Sequence, residues 1–179
     1  MLGLLVLAES VALISGNLDL SIAQNAGLSA MIGGILILNG VPGPLAIPLI
    51  VLVGGCLGAF NGFFVGKMGL NPFLVTLSSF LMFDWLTYVI RKTSILNLPS
   101  SYMFPGAGKV FGIYIAIIIF FVITAILFLF LRKTRYGNYI YATGGNAEAA
   151  TMMGINTGNV IFWAFVISGA LAGLSGLIY

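Results

Sequence analysis

The sequence predicts an all-α protein, a polytopic bundle of transmembrane helices, and three observations carry that prediction. Of 179 residues, 60% are hydrophobic and only 6% are charged, against roughly a quarter charged in an ordinary globular domain. Such a chain lacks the polar residues to solvate a surface on all sides. Long apolar runs also recur along it, and a spanning helix needs about 20 mostly apolar residues. The basic residues, finally, sit at the ends of these runs, a pattern of membrane orientation and not of nucleic-acid binding. A β-barrel would instead alternate in strands of about ten residues, and IAIIIFFVITAILFLFL does not alternate.

Six membrane segments follow in order, in one domain covering residues 1–179. The first, Met1 to Gly16, is short for a span. A polar break, SGNLDLS, occupies Ser15 to Ser21. The second segment runs from Ile22 to Asn39 and ends in the turn NGVPGP. The third covers Leu45 to Gly66, and the short loop KMGLN leads to the fourth, Pro72 to Ile90. A loop of about twenty residues precedes the fifth, Val110 to Leu131. A second loop, at about 132–159, precedes the sixth, Val160 to Tyr179. Met1 opens directly into LGLLVLA with no basic flank, unlike a signal peptide, and no exit marker follows the last apolar run. The chain therefore reads as a fragment of a longer membrane protein.

Basic residues orient these segments. Arg132, Lys133 and Arg135 directly follow the fifth span, which places that loop in the cytoplasm. Alternation then puts four basic residues inside, with Lys67, and three outside: Arg91, Lys92 and Lys109. Small residues recur every four positions at Gly54, Gly58, Gly62 and Gly66. Ser168, Gly169, Ala172, Gly173 and Gly176 repeat the device, as do Ala26, Ala30 and Gly34. Such stripes let membrane helices approach closely, so they read as packing surfaces. Histidine is absent and Cys56 is the single cysteine, so no disulfide framework or Cys/His metal cluster can form within the chain. Cys56, inside an apolar run, reads as a small packing residue.

Three polar constellations remain. In SGNLDLS, Gly16 and Asn17 loosen the helix, while Asp19 and Ser21 offer acceptors. This is either a broken helix beside a translocation path or an interfacial turn in which Asp19 caps the helix starting near Ile22. Glu9 and Asp84 are intramembrane carboxylates that suit a proton or cation relay. The plainer reading of Asp84 is a carboxylate facing the bundle interior with a polar or basic partner, and Arg91 stands two helical turns away. The third is ATGGNAEAATMMG, residues 142–154. Gly144 and Gly145 make a turn, Asn146 is an N-cap and Glu148 complements the helix dipole. Ala149, Ala150, Met152 and Met153 favour helix, and Gly154 ends it in the left-handed conformation. A helix of seven or eight residues is not stable alone in water. It needs a surface to pack on, and methionines suit an interface that repacks.

These residues resemble a known family. EAATMMGI is similar to the glutamate–alanine–alanine loop of ABC-importer permeases, and TRYGNYIYATGGNAEAATMMGIN to the corresponding loop of the ribose-type permeases of monosaccharide importers. SGNLDLS resembles that family's glycine–isoleucine–aspartate–leucine–serine stretch, and NPFLVTLSSF its helix start after the third span. Branched-chain amino-acid permeases are relatives with a different pattern at the break. The resemblance implies a fold of about ten spans, of which this chain covers roughly the second to seventh. It implies a homo- or heterodimer of permeases in the bacterial cytoplasmic membrane. A periplasmic or lipoprotein binding protein would deliver solute, and separate cytoplasmic ATPases would consume ATP with Mg. The chain itself would bind no cofactor. A coupling helix with Gly144, Gly145, Asn146, Glu148, Ala149, Ala150 and Gly154 would dock on the ATPase. Asn17, Asp19, Ser21, Phe73 and Thr76 would line or shape the path. Asn17 departs from the family, which often has glycine there, and Asp84 lies where an apolar or basic residue is expected.

Three functions compete on the sequence. The first is the transmembrane subunit of an ATP-driven importer for a monosaccharide or similar small polar solute. The second is an ion-coupled secondary carrier using Glu9 and Asp84, which would need paired broken helices in two related halves. A membrane-embedded enzyme ranks last, because no nucleophile stands with an evident base.

Overall fold

The computed structural model describes residues 1–90, 106–110 and 112–178. Arg91 and Lys92 lie outside the described residues. The elements in chain order are α1 (Leu2–Ile14), α2 (Ile22–Leu38), α3 (Gly43–Gly62, continued as a π-helix over Phe63–Lys67) and α4 (Pro72–Ile90). Then come β1 (Lys109–Val110), β2 (Ile113–Tyr114), α5 (Ile115–Lys133), α6 (Arg135–Gly145), α7 (Ala147–Met152) and α8 (Thr157–Leu177).

The all-α expectation holds, with a minor exception. The fifth segment begins at Ile115 and not at Val110, because an antiparallel pair of two-residue strands occupies the approach to it. Gly112 supplies the positive φ, +83°, that this tight hairpin requires. Among the described residues four helices are long and apolar enough to cross a membrane: Gly43–Lys67, Pro72–Ile90, Ile115–Lys133 and Thr157–Leu177. The first two segments form helices of 13 and 17 residues, apolar but shorter.

The bundle is organised by the glycine stripes. α3 and α8 run antiparallel with backbone against backbone. A Cβ added at Gly173 would lie 2.7 Å from the Ile50 carbonyl oxygen, and one at Gly66 would lie 2.5 Å from that of Gly158. Between these ends Gly54 faces Gly169 and Gly173, and Gly58 faces Phe165 and Gly169. In lipid no hydrophobic drive brings helices together, so close backbone approach supplies dispersion and Cα–H···O contacts instead. α8 is central, with 56% of its most apolar window buried against 11% for α5. α1 and α2 pack on its other sides. Val11 shares a buried cluster with Val160 and Ala164, Ala8 and Ala26 share one with Ala172, and Gly176 abuts Ala26 and Ala30. Cys56 is exposed on α3, on the side away from this seam, and does not pack as expected.

Among the described residues, most of the basic side chains gather at one end of the bundle. Lys67 donates to Asn159 Oδ1 at the start of α8, and Arg132 and Lys133 close α5 just before α6. Lys109 stands at the opposite end, where Gly106 meets Ile178. The alternation predicted that separation.

Candidate functional site

The basic end carries two adjoining features. The first is α7. Asn146 takes the extended conformation and its Oδ1 accepts from the Ala149 N–H at 2.9 Å. Gly154 adopts φ +82° and its N–H donates to Thr151 O at 2.9 Å. Both caps fall where the sequence puts them, on a helix of six residues. Ala150 alone is buried on it, while Glu148 and Ala149 are exposed. Met152 and Met153 are 87% and 79% exposed, far beyond what a helix resting on its own bundle would leave. α7 is thus held at one alanine and presents the remainder outward.

What precedes α7 departs from expectation. Gly144 and Gly145 do not make a turn: they are the last turn of α6, an 11-residue helix. Thr134 caps it, its Oγ1 accepting from the Gly137 N–H at 3.0 Å. Gly137 packs against the Leu131 backbone, and Ile140 sits in a core with Val11, Leu127, Leu131 and Val160. Gly144 lies against Ile14 and Gly16, and a Cβ there would lie 2.9 Å from the Gly16 nitrogen. The missed signal is Thr134 three residues before Gly137, with Ile140 and Thr143 continuing one face. Thr143 is buried and its hydroxyl has no hydrogen-bond partner among the described residues.

The second feature is the break between α1 and α2. Gly16 takes φ +81°, and Ser15, Asn17, Asp19 and Ser21 are all buried. These four polar side chains face protein, while Gly16 and Leu18 between them are exposed on this chain. Asn17 donates to the Ser15 carbonyl and hydroxyl at 3.0 Å. Asp19 Oδ1 accepts from the Ser21 N–H at 3.0 Å and from its hydroxyl at 2.7 Å. Asp19 thus holds Ser21, the residue just before α2, and does not reach the free amides of that helix. Asn61 Nδ2 donates to Ser21 Oγ at 2.7 Å, and Asn61 Oδ1 accepts from the Ser79 hydroxyl. The chain Asp19–Ser21–Asn61–Ser79 joins the break to α3 and α4. Thr76 adds a bond to Leu18 O at 3.3 Å, and Asn25 donates to Gly54 O at 3.1 Å. The sequence reading missed Asn25, Asn61 and Ser79. Phe73, by contrast, is 49% exposed and outside this network.

Replacing Asn61 with leucine, apolar and bulkier, strands the buried Ser79 hydroxyl and leaves the Ser21 hydroxyl only its bond to Asp19. A loss of about 1–3 kcal/mol is expected, read as a lower apparent Tm in detergent. Ser79→Ala should lower it less, since only one bond goes.

The carboxylates part company. Glu9 accepts from the Asp19 N–H at 3.4 Å, beside the break. Asp84 accepts from Gln24 Nε2 at 3.0 Å. It finds the expected polar partner on a neighbouring helix, but it is exposed on this chain and does not face the interior. No hydrogen bond joins Glu9 to Asp84 among the described residues, and no group of three potential metal ligands occurs among them.

Comparison with known proteins agrees with the resemblance read from the residues. The family model described as "Branched-chain amino acid transport system / permease component" matches residues 1–179. The D-allose transport system permease protein AlsC of Escherichia coli is 36% identical over 98% of this chain and 54% of its own. The ribose import permease protein RbsC of Haemophilus influenzae is 32% identical over 94% of this chain and 53% of its own. The inner membrane ABC transporter permease protein YjfF of Escherichia coli is 28% identical over 99% and 56%. The chain spans about half the length of the curated relatives it matches. No solved structure matches it. With the family model covering every residue and four helices able to span, the chain belongs to the permease components of this transport family, as a multi-pass protein of the inner membrane.

Proposed function

We propose that this chain is part of the transmembrane subunit of an ATP-driven importer for a monosaccharide or a similar small polar solute. The observation that carries the reading is α7, a capped helix pinned at Ala150 with Glu148, Ala149, Met152 and Met153 turned outward. A carrier driven by an ion gradient has no use for such an element. The relatives named for D-allose and ribose support the solute class. The chain makes and breaks no bond. It offers a path whose two gates open alternately, a population shift biased by the ATPases. α7 docks on a cytoplasmic ATPase, which binds ATP and Mg, so the basic end faces the cytoplasm. A second permease subunit completes the path, and a solute-binding protein delivers solute at the other face. Asn17, Asp19, Ser21 and Thr76 shape the path from the buried break, and Phe73 reaches it only from the exposed side of α4.

Reconstitution tests this. Proteoliposomes holding the transporter, its ATPase and its binding protein should take up labelled D-ribose or D-allose only with ATP and Mg. Uptake driven by a proton or sodium gradient without ATP would sink the reading and return Glu9 and Asp84 to the centre. The cap gives a finer test. Asn146→Ala removes a bond worth about 1 kcal/mol, which should weaken ATPase binding roughly fivefold, and Asn146→Asp should restore it.

A further inference from the structure

We propose that Gly144 resting on Gly16 is the joint through which movement of the docking helix reaches the helix break, and that Asn61 carries it on to α3 and α4. The proposal rests on the importer reading above. The link from α7 to the joint contains no slack, since Asn146 ends α6 and caps α7 at once. Displacing α7 therefore displaces the last turn of α6.

That turn meets the break backbone to backbone. A Cβ at Gly144 would overlap the Ile14 carbonyl oxygen and lie 2.9 Å from the Gly16 nitrogen. A contact between side chains yields by changing rotamer, but two abutting backbones have no such freedom. Gly145, one residue on, meets nothing within 4 Å, so of the two glycines it is Gly144 that makes this contact. On the other side, Gly16 is held at φ +81°, a conformation other residues adopt at a cost.

Beyond Gly16 the break is tied on two sides. Thr76 of α4 brings its hydroxyl to 3.3 Å from Leu18 O, sharing the proton it gives at 2.8 Å to Pro72 O of its own helix. Ser21, held by Asp19, accepts from Asn61 on α3, which accepts in turn from Ser79 on α4. One push at Gly16 therefore bears on four segments, and the break is where the α1–α2 backbone can bend to accept it. Gly144, Gly16 and Asn61 are positioning residues in this scheme.

The test uses the reconstituted transporter with its ATPase. Gly144→Ala should retain ATPase binding and hydrolysis while solute moved per ATP falls at least tenfold. Gly27→Ala makes the same change in α2, where a Cβ meets nothing within 4 Å, and should leave that ratio as in wild type. A Gly144→Ala ratio within twofold of wild type overturns the joint. Should Gly144→Ala fail to assemble, hydrogen exchange on the wild type decides. Nucleotide altering protection in residues 14–21 together with 143–154 supports the proposal, and change confined to 143–154 overturns it. Failure of the importer reading appears separately, as wild-type protein without ATP-dependent uptake, and removes the joint with it.

Discussion

Changing both Met152 and Met153 to aspartate is expected to leave the protein folded and to abolish its hold on the ATPase. The two side chains are 87% and 79% exposed, so they contribute almost nothing to the packing of their own chain. Their replacement should shift the apparent Tm by no more than one or two degrees, as surface changes usually do. Docking is another matter. Two thioethers that fill irregular apolar gaps become two carboxylates, and each would have to be buried without a partner, at several kcal/mol. ATPase capture should fall more than a hundredfold and ATP-driven uptake with it. Glu148→Lys and Gly154→Pro attack the same element from within. Lysine opposes the positive end of the helix dipole. Proline neither adopts φ +82° nor keeps the N–H that donates to Thr151. If all three variants bind the ATPase and transport as wild type does, α7 is not the docking element.

Legibility in the sequence followed the range of the interactions. The caps of α7 were readable because Asn146 and Gly154 act on amides and carbonyls within four residues of themselves. The stripe Gly54, Gly58, Gly62 and Gly66 was readable as a face because helix periodicity is local as well. That α8 is its partner follows from matching stripes, which sequence suggests but does not pair. α6 was hidden because Gly137, Gly144 and Gly145 look like turn punctuation. Two of the three are there for close approach, Gly137 to Leu131 and Gly144 to Ile14 and Gly16, and close approach is a tertiary fact. Asn61 was passed over for a related reason. An asparagine between phenylalanine and glycine carries no mark of Ser21, 40 residues away, or of Ser79. Asp19 shows the middle case, a residue recognised as an acceptor whose donors proved to be Ser21's amide and hydroxyl.

Alanine at Gly58 and alanine at Gly55 should act in opposite directions, although both sit in the same helix. By propensity alone each exchange favours the helix by about 1 kcal/mol, since glycine loses the most backbone freedom. At Gly55 the new Cβ would meet Ala170 Cβ at 3.7 Å and Val166 at 3.9 Å, ordinary contact. Gly55→Ala should therefore be neutral or raise the apparent Tm. At Gly58 it would overlap the Phe165 carbonyl oxygen and approach Gly169 Cα at 3.0 Å. These are backbone atoms of the facing helix, so no rotamer change relieves the clash. The helices must separate, and the loosened packing extends along the seam to Gly54 and Gly62. The cost should exceed about 3 kcal/mol, the upper range of overpacking, with loss of monodisperse protein or a much lower apparent Tm. Gly58→Leu should give no assembled protein. Equal behaviour of the two alanine variants would mean that α3 and α8 do not meet through this face. Assembly of the membrane domain would then have to rest on polar bonds such as Asn25 to Gly54, each worth about 1 kcal/mol or less. Those are too weak and too few to set the antiparallel register alone.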